Sequence, residues 1–331
     1  MSDFTFLTEE QIFGSNQIDV IKKRGTKAAI SDFSVLLGGW VSDYHVDSDS
    51  SLKGRTGYYW TKSDDGDNDA RAVDANGIGF CNNGYERYGG ARPALPFSSI
   101  SNIPTNGESG KRARDGVLEV EYGYYPQKAV SRDMQERLER AYRSSSISKT
   151  GNSYTTDSVA YDDYDTAFQP QTHQEYEYNG KRYVRVEANS YYDGNNFTLS
   201  NGEQYRDGDN VWVEVEPVKW LVDERARMMI TENLIFAGVQ FNKERNYKTR
   251  NFDRTDIKTF MDKYLSRDLV QSRGIGQQSQ TRATSTTTRN ENPYNLEFDE
   301  VSESDIIRGA IESNVSVFLH GKPGCGKSDR V

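Results

Sequence analysis

The chain has 331 residues, room for one large domain or two modest ones, and a formal charge of −9 that argues against a nucleic-acid binder working through a broad phosphate-neutralising face. Hydrophobic residues are 34% of the total, with 21 Tyr and 14 Phe, so the expected core leans on aromatics packed between strands. Two cysteines, Cys81 and Cys325, form no disulfide framework, and three histidines, His45, His173 and His320, have no partner at ligand spacing, so no zinc site is expected. No signal peptide and no membrane-spanning apolar run is read, and the expectation is a cytoplasmic protein without a membrane partner.

In chain order, Thr8-Glu9-Glu10-Gln11 has the form of a helix start, and Val20–Arg24 ends in a basic turn with Gly25 placed to cap it. Phe33–Trp40 is short, apolar and closed by glycines, and is read as a strand. Tyr58–Thr61 is an aromatic strand and Ala91–Phe97 a second strand-like run. Between them lies a stretch rich in Asp, Asn, Gly, Arg and Tyr with almost no aliphatic side chains. Such a stretch buries little of itself and is read as a surface loop, where binding groups concentrate; Tyr and Arg serve as anchors, Asn, Asp and Gly as adaptable hydrogen-bonding positions.

Ser98–Gly116 is a linker or a long hairpin connection. Val117–Gln127 alternates as a strand that Pro126 closes, and Met134, Leu138 and Ala141 share one face of a short helix. Residues 144–172 read as irregular. Asn179-Gly180 between Tyr176–Tyr178 and Arg182–Val186 is the strongest hairpin signal in the chain. Phe197–Leu199, a strand pair over Val211–Val222, then Met228–Thr231 and Ile235–Phe241 continue the β pattern, and Thr255–Leu265 reads as a helix with Ile257, Phe260, Met261 and Leu265 on one face. The overall class is α+β and strand-rich. Residues 271–292, mostly Gln, Ser, Thr, Arg and Gly, read as a flexible linker.

Beyond the linker, an amphipathic helix from Ser302 and a buried-type strand, Val315–Leu319, lead into Gly321-Lys322-Pro323-Gly324-Cys325-Gly326-Lys327-Ser328, a complete G-x-x-x-x-G-K-S in strand context. Its backbone N–H groups, at Gly321, Gly324, Cys325 and Gly326, suit phosphate oxygens; Lys327 suits the β/γ phosphates and the Ser328 hydroxyl suits magnesium. Residues 293–331 resemble the opening of an AAA+ ATPase, which implies ATP and Mg as cofactors of the complete module. Only three residues follow Ser328, so no hydrolysis and no catalytic residue is expected of this chain, and a truncated gene is the simplest explanation.

A second resemblance is carried by Tyr122-Gly123-Tyr124-Tyr125-Pro126-Gln127, Pro217–Val222, Gly57–Ser63 and Gly90–Leu95. Together these are similar to a bacterial uncharacterised family with the formylglycine-generating-enzyme and C-type-lectin-like fold, over residues 5–268. The domain so implied is 1–270, with an Arg-Pro-Ala-Leu half at 1–100 and a Tyr-Pro-Gln half at 117–268. The two halves stand in the reverse of the family's order. A permuted domain joined through 98–116, or two half-domains, fits that order.

In this superfamily the segment before the final strand is the ligand face, and it is the variable region in proteins diversified by reverse-transcriptase retroelements. The resemblance places it at Asp64–Tyr88 and implies that Asp69, Arg71, Asp74, Asn76, Phe80, Asn82, Asn83, Tyr85, Glu86 and Tyr88 contact a protein or glycan ligand. Any self-association would belong to the ATPase portion. The oxidase chemistry of the formylglycine-generating enzyme needs a cysteine pair, and Cys81 stands alone in this domain. The Asp64–Asp69 run suits a solvated acidic turn better than calcium, since its spacing is not that of an EF-hand loop. Two functions follow from these readings: a recognition module controlling an ATPase, or an ATP-dependent enzyme with a structural N-terminal region.

Overall fold

The computed structural model describes residues 4–42, 55–64, 69–191, 197–242 and 252–271. The chain divides into two units, Met1–Ser279 and Gln280–Val331. The linker from 272 on, the nucleotide-binding motif Gly321–Ser328 and its helix and strand lie outside the described residues, as do 65–68 of the acidic run.

Three short helices open the first unit: α1 (Glu9–Phe13), α2 (Asp19–Arg24) and α3 (Asp32–Leu36). The Thr8 hydroxyl and the Gln11 side chain cap α1 reciprocally, and Gly25 ends α2 at a φ of 79°. Phe33–Trp40, read as a strand, supplies most of α3 instead. The Ser31 side chain accepts from the Ser34 N–H to start the turn, and Gly38 closes it at a φ of 94°. Five apolar positions alone do not distinguish a buried helical turn from a strand, and the cap decides.

A small antiparallel sheet follows, of β1 (Tyr59–Asp64), β2 (Asp69–Val73) and β3 (Gly79–Asn83) in that order. The main sheet is built from β4 (Ala94–Pro96), β5 (Leu118–Ala129), β6 (Ser148–Asp157), β7 (Pro170–Tyr178), β8 (Lys181–Glu187), β9 (Asn210–Asp223) and β10 (Met228–Thr231), with a short Lys111–Arg112 strand on β5. Its order is β4-β10-β9-β8-β7-β6, all antiparallel, and β5 runs along the other edge of β9. The Arg-Pro-Ala-Leu and Tyr-Pro-Gln runs are therefore separated in the sheet by β9 and β10. The architecture is α+β and rich in strands.

Val211–Val222, read as a strand pair, is one continuous strand. Pro126 does not close its strand either, since β5 continues to Ala129. Both prolines sit at breaks in the β5–β9 register: one separates the Glu214 and Val215 pairings, the other the Pro217 and Lys219 pairings. A bulge is where a sheet tolerates a residue without an N–H. The Gln127 side chain takes up the carbonyls of Glu216 and Pro217 there, at 3.3 and 2.9 Å. Gly123, in the second bulge, has a φ of 73°, and a Cβ at this position would lie 2.3 Å from Leu269 Cγ.

Residues 144–172, read as irregular, contain all of β6 and the start of β7. The local sequence is polar because the N-terminal part of β6 is half-buried or exposed, while Tyr154 to Asp157 are buried. Ile235–Phe241 is buried but makes only one bridge, Ala91 to Phe236, and joins no named strand. The helix read at Thr255–Leu265 is α5 (Asp256–Phe260), continued through a π turn (Met261–Leu265) into α6 (Ser266–Gln271).

Alternation along the strands serves two cores. Val211, Val213, Val184 and Val186 join the large core with α3, α5 and the π turn. Trp212, Tyr183 and Tyr176 face the opposite side and bury Leu138 of α4 (Arg132–Arg143). Buried carboxylates stitch the layers through main-chain N–H groups: Asp32 accepts from Ala129, Asp223 from Val20 and Asp268 from Thr155.

His173, on β7, is buried with Nε2 2.7 Å from the Thr156 hydroxyl and its ring edge-on to Phe33. Burial pulls its pKa down from 6.5 to about 4. A depressed folded-state value means that the unfolded chain takes the proton first. Stability should therefore hold above pH 6.5 and fall as the pH drops to 4, by about 2–3 kcal/mol. Urea denaturation across this window should show that slope, and His173→Asn should flatten it; an unchanged slope in the variant would assign the effect to other groups.

Candidate functional site

The Asp64–Tyr88 stretch, read as a loop, contains two paired strands among its described residues: Asp69–Val73 and Gly79–Asn83 form a hairpin. Composition favoured a loop because alternate positions are Asp, Arg and Asn. The intervening Ala70 and Ala72, each 2% exposed, are buried beside β1, with Ala72 opposite Trp60 in its register. At the tip, Asp74 Oδ1 accepts the Ile78 N–H at 2.8 Å, the Asn76 amide donates to Asp74 Oδ2 at 3.2 Å, and Gly77 adopts a φ of 81°. Asp74 and Asn76 thus shape the turn.

Register separates the remaining sequence-derived positions onto two faces. Asp69 lies opposite Asn83 and Arg71 opposite Cys81, on one side; Ala70 lies opposite Asn82 and Ala72 opposite Phe80, on the other. Asp69, Arg71 and Asn83 are half-buried, and Arg71 pairs with Glu9 of α1 at 3.6 Å. Phe80 and Asn82 turn instead towards Tyr58 and Tyr88, with the Phe80 ring 5.5 Å from that of Tyr58 and the Asn82 amide donating to the Tyr88 hydroxyl at 3.1 Å. Of the ten residues, Asn76 alone is exposed.

The loop after β3 is held from inside by Arg87, which is buried completely. Its Nε lies 3.3 Å from Asp157 Oδ2, and its two terminal nitrogens donate to the carbonyls of Asp163 and Thr166. Burial raises the Asp157 carboxyl; the N–H groups of Gln169 and Val159 and the Arg87 guanidinium oppose that rise. The Arg87 carbonyl accepts from Gly238 and the Tyr88 carbonyl from Trp40. Gly89 permits the close approach of β1, since a Cβ there would lie 2.2 Å from Trp60 Nε1.

This anchorage brings a second segment, Tyr161-Asp162-Asp163-Tyr164-Asp165, against the loop. The Tyr85 and Tyr164 rings stand 5.4 Å apart, those of Tyr88 and Tyr191 5.1 Å, and those of Tyr161 and Tyr191 5.2 Å. Tyr88 is also edge-to-face with Tyr58 at 5.2 Å. Burial raises the hydroxyls of Tyr58, Tyr88 and Tyr164, and the Glu86 carboxylate beside them raises all three further. The phenols therefore remain neutral at physiological pH, next to one carboxylate.

Tyr58, Arg87, Asp157 and Tyr164 were not among the sequence-derived residues. The Tyr-Asp-Asp-Tyr-Asp run has the same polar-aromatic composition as 64–88, and that was the available signal for it. Among the described residues no group of three or more His, Cys, Asp or Glu is placed to hold a metal ion. No helix of these residues is long and apolar enough to cross a membrane. A cavity of about 260 Å³ lies behind the anchor, lined by Asp157, Phe168, Gln240, Phe260, Lys263 and Tyr264.

No protein-family model matches the chain, and no curated protein or solved structure matches it.

Removing the Arg87 guanidinium leaves Asp157 buried without its counter-charge and two carbonyls without donors. Arg87→Met should lower stability by about 3–5 kcal/mol. In the still-folded fraction, amide hydrogen exchange should accelerate at 160–168 while β7, β8 and β9 stay protected. Uniform acceleration across both regions would show that the pair does not hold this segment selectively.

Proposed function

We propose that residues 1–270 act as a ligand-recognition module, of C-type-lectin-like type, which presents the polar-aromatic surface around Tyr85, Glu86 and Tyr88 to a protein or glycan. The observation that supports this most is the convergence of Tyr58, Tyr88, Tyr164 and Glu86 from separate segments around one buried anchor. Tyrosines combine apolar area with a polar tip at low entropic cost, the chemistry enriched in recognition surfaces. Asp69, Arg71 and Asn83, on the other face of the hairpin, form a second part of the surface, and the 64–88 stretch is the segment proposed to be diversified. A near-repeat of its coding sequence beside a reverse transcriptase gene would support diversification; its absence would count against diversification and leave recognition standing.

In the complete protein, recognition would control the AAA+-like module that Gly321–Ser328 implies, with ATP and Mg bound there. The motif itself supports the second reading, an ATP-dependent enzyme whose N-terminal region is structural. The two readings differ in what Tyr85→Ala/Tyr88→Ala does. On the recognition reading, this double variant keeps its far-UV spectrum and a melting transition but loses at least about tenfold in affinity for the partner or glycan held by the wild type. Retained affinity in a folded double variant would leave the structural reading in place.

A further inference from the structure

One oxygen of Glu86, Oε2, is buried with no partner in hydrogen-bonding geometry among the described residues, and so is the hydroxyl of Tyr58, although the Tyr88 hydroxyl stands beside Glu86 and the Asn82 side chain beside Tyr58. Both belong to the nest around Tyr88. An anionic oxygen shielded from water without a donor costs free energy that an arriving donor returns.

The surroundings select a positively charged donor. The rings of Tyr58, Phe80, Tyr88 and Tyr191 form a connected set with centroid separations of 5.1–5.5 Å. Aromatic faces attract ammonium and guanidinium groups. Residues 69–88 carry three carboxylates, Asp69, Asp74 and Glu86, against two guanidiniums. One of those guanidiniums, Arg87, is neutralised internally by Asp157, and the other, Arg71, pairs with Glu9. The facing segment adds Asp162, Asp163 and Asp165, and no Lys or Arg occurs between Asp157 and Gln169. A surface of this sign raises the local concentration of cations.

We infer that the nest formed by Tyr58, Glu86 and Tyr88 binds a positively charged nitrogen group that can donate hydrogen bonds, the guanidinium or ammonium of an Arg or Lys side chain on a protein partner. The nitrogen donates to Glu86 Oε2 and the Tyr58 hydroxyl, and its charge lies against the tyrosine rings. This rests on the recognition reading and narrows it from protein or glycan to a basic protein segment.

The test is isothermal titration of the 331-residue chain with N-acetyl-arginine amide, its neutral counterpart N-acetyl-citrulline amide, and tetramethylammonium. The arginine probe should bind about tenfold or more tightly than the citrulline probe, and more tightly than tetramethylammonium, which has no N–H to donate. Glu86→Gln should weaken arginine binding by about tenfold, and Tyr58→Phe, which removes one oxygen and leaves the ring, by a few-fold; Glu136→Gln, exposed on α4 and outside the proposed surface, should leave it unchanged. Melting curves establish that each variant is folded. Equal binding of arginine and citrulline, tetramethylammonium binding as tightly as arginine, or a folded Glu86→Gln chain with wild-type affinity would each overturn the inference. If any of these occurs while Tyr85→Ala/Tyr88→Ala still abolishes partner capture, the cation assignment falls and the recognition reading survives; loss of neither activity removes both.

Discussion

A guanidinium with no exposure to water holds the 84–90 loop against the 157–169 segment. Taking Arg87 and Asp157 out of solvent costs several kcal/mol per ion, and their attraction offsets that only when the remaining hydrogen-bonding positions are also filled. They are filled: Arg87 also reaches the Asp163 and Thr166 carbonyls, and Asp157 also accepts from Val159 and Gln169. Asp163 and Thr166 share one turn, closed by the Thr166 N–H on Asp163 Oδ1, and the Val159 and Gln169 N–H groups flank it on Asp157 Oδ1. The 84–90 loop and the 157–169 segment are thereby fixed relative to each other, and with them Tyr85 against Tyr164 and Tyr88 against Tyr191. The aromatic contacts are consequences of that anchor more than causes of it.

The anchor needs a rigid sheet behind it, and β9 provides one. This strand pairs with β8 and then β10 along one edge and with β5 along the other, so it joins every part of the main sheet. Its two register breaks against β5 bend the pair. The bend is stabilised by polar groups within it: the Gln127 amide on two carbonyls, and Trp220 Nε1 on the Tyr122 carbonyl at 2.9 Å. Leu269 of α6 fills the space that Gly123 leaves open. Asp268, next to it, accepts the Thr155 N–H and so ties α6 to β6, the strand that ends at Asp157. The curvature of the sheet and the position of the buried carboxylate are thus coupled through one short helix.

Features governed by neighbouring residues were legible in the sequence. The Thr8 capping box, the Gly25 cap and the Asn179-Gly180 turn, whose residues have φ of 51° and 76°, are local solutions to local hydrogen-bonding demands. The face of Ile257, Phe260, Met261 and Leu265 was also recoverable, all four being buried. Illegible features depend on distant partners. The polar Ser148–Ser153 stretch becomes strand because β7 pairs along it. Asp69–Val73 becomes strand because Tyr59 and Trp60 offer it a register. Arg87 reads locally as one more polar residue in an acidic stretch, since its counter-charge lies 70 positions away. Glu86 and Tyr88 were named as members of the stretch that the resemblance singles out, and nothing local distinguished them from Asp74 and Asn76, which complete a turn.

The separation of anchoring from display has a consequence for how this surface could vary. Arg87, Gly89 and Trp60 are constrained by full burial or by contacts that leave no room for a side-chain change. Asp69, Arg71 and Asn83 occupy the hairpin face opposite the buried Ala70 and Ala72. Replacing Asp69 or Asn83 changes charge and hydrogen-bonding pattern without orphaning the buried guanidinium, at an expected cost within about 0.5 kcal/mol, whereas replacing Arg71 also removes its pair with Glu9. Phe80, Asn82 and Tyr88 stand between these extremes, since each contacts Tyr58 or another member of the nest while remaining half-buried. Exchange at that inner face alters the shape of the site itself. The hairpin thus has one face whose side chains touch the nest and one whose side chains do not, and both are carried by the same buried charge pair.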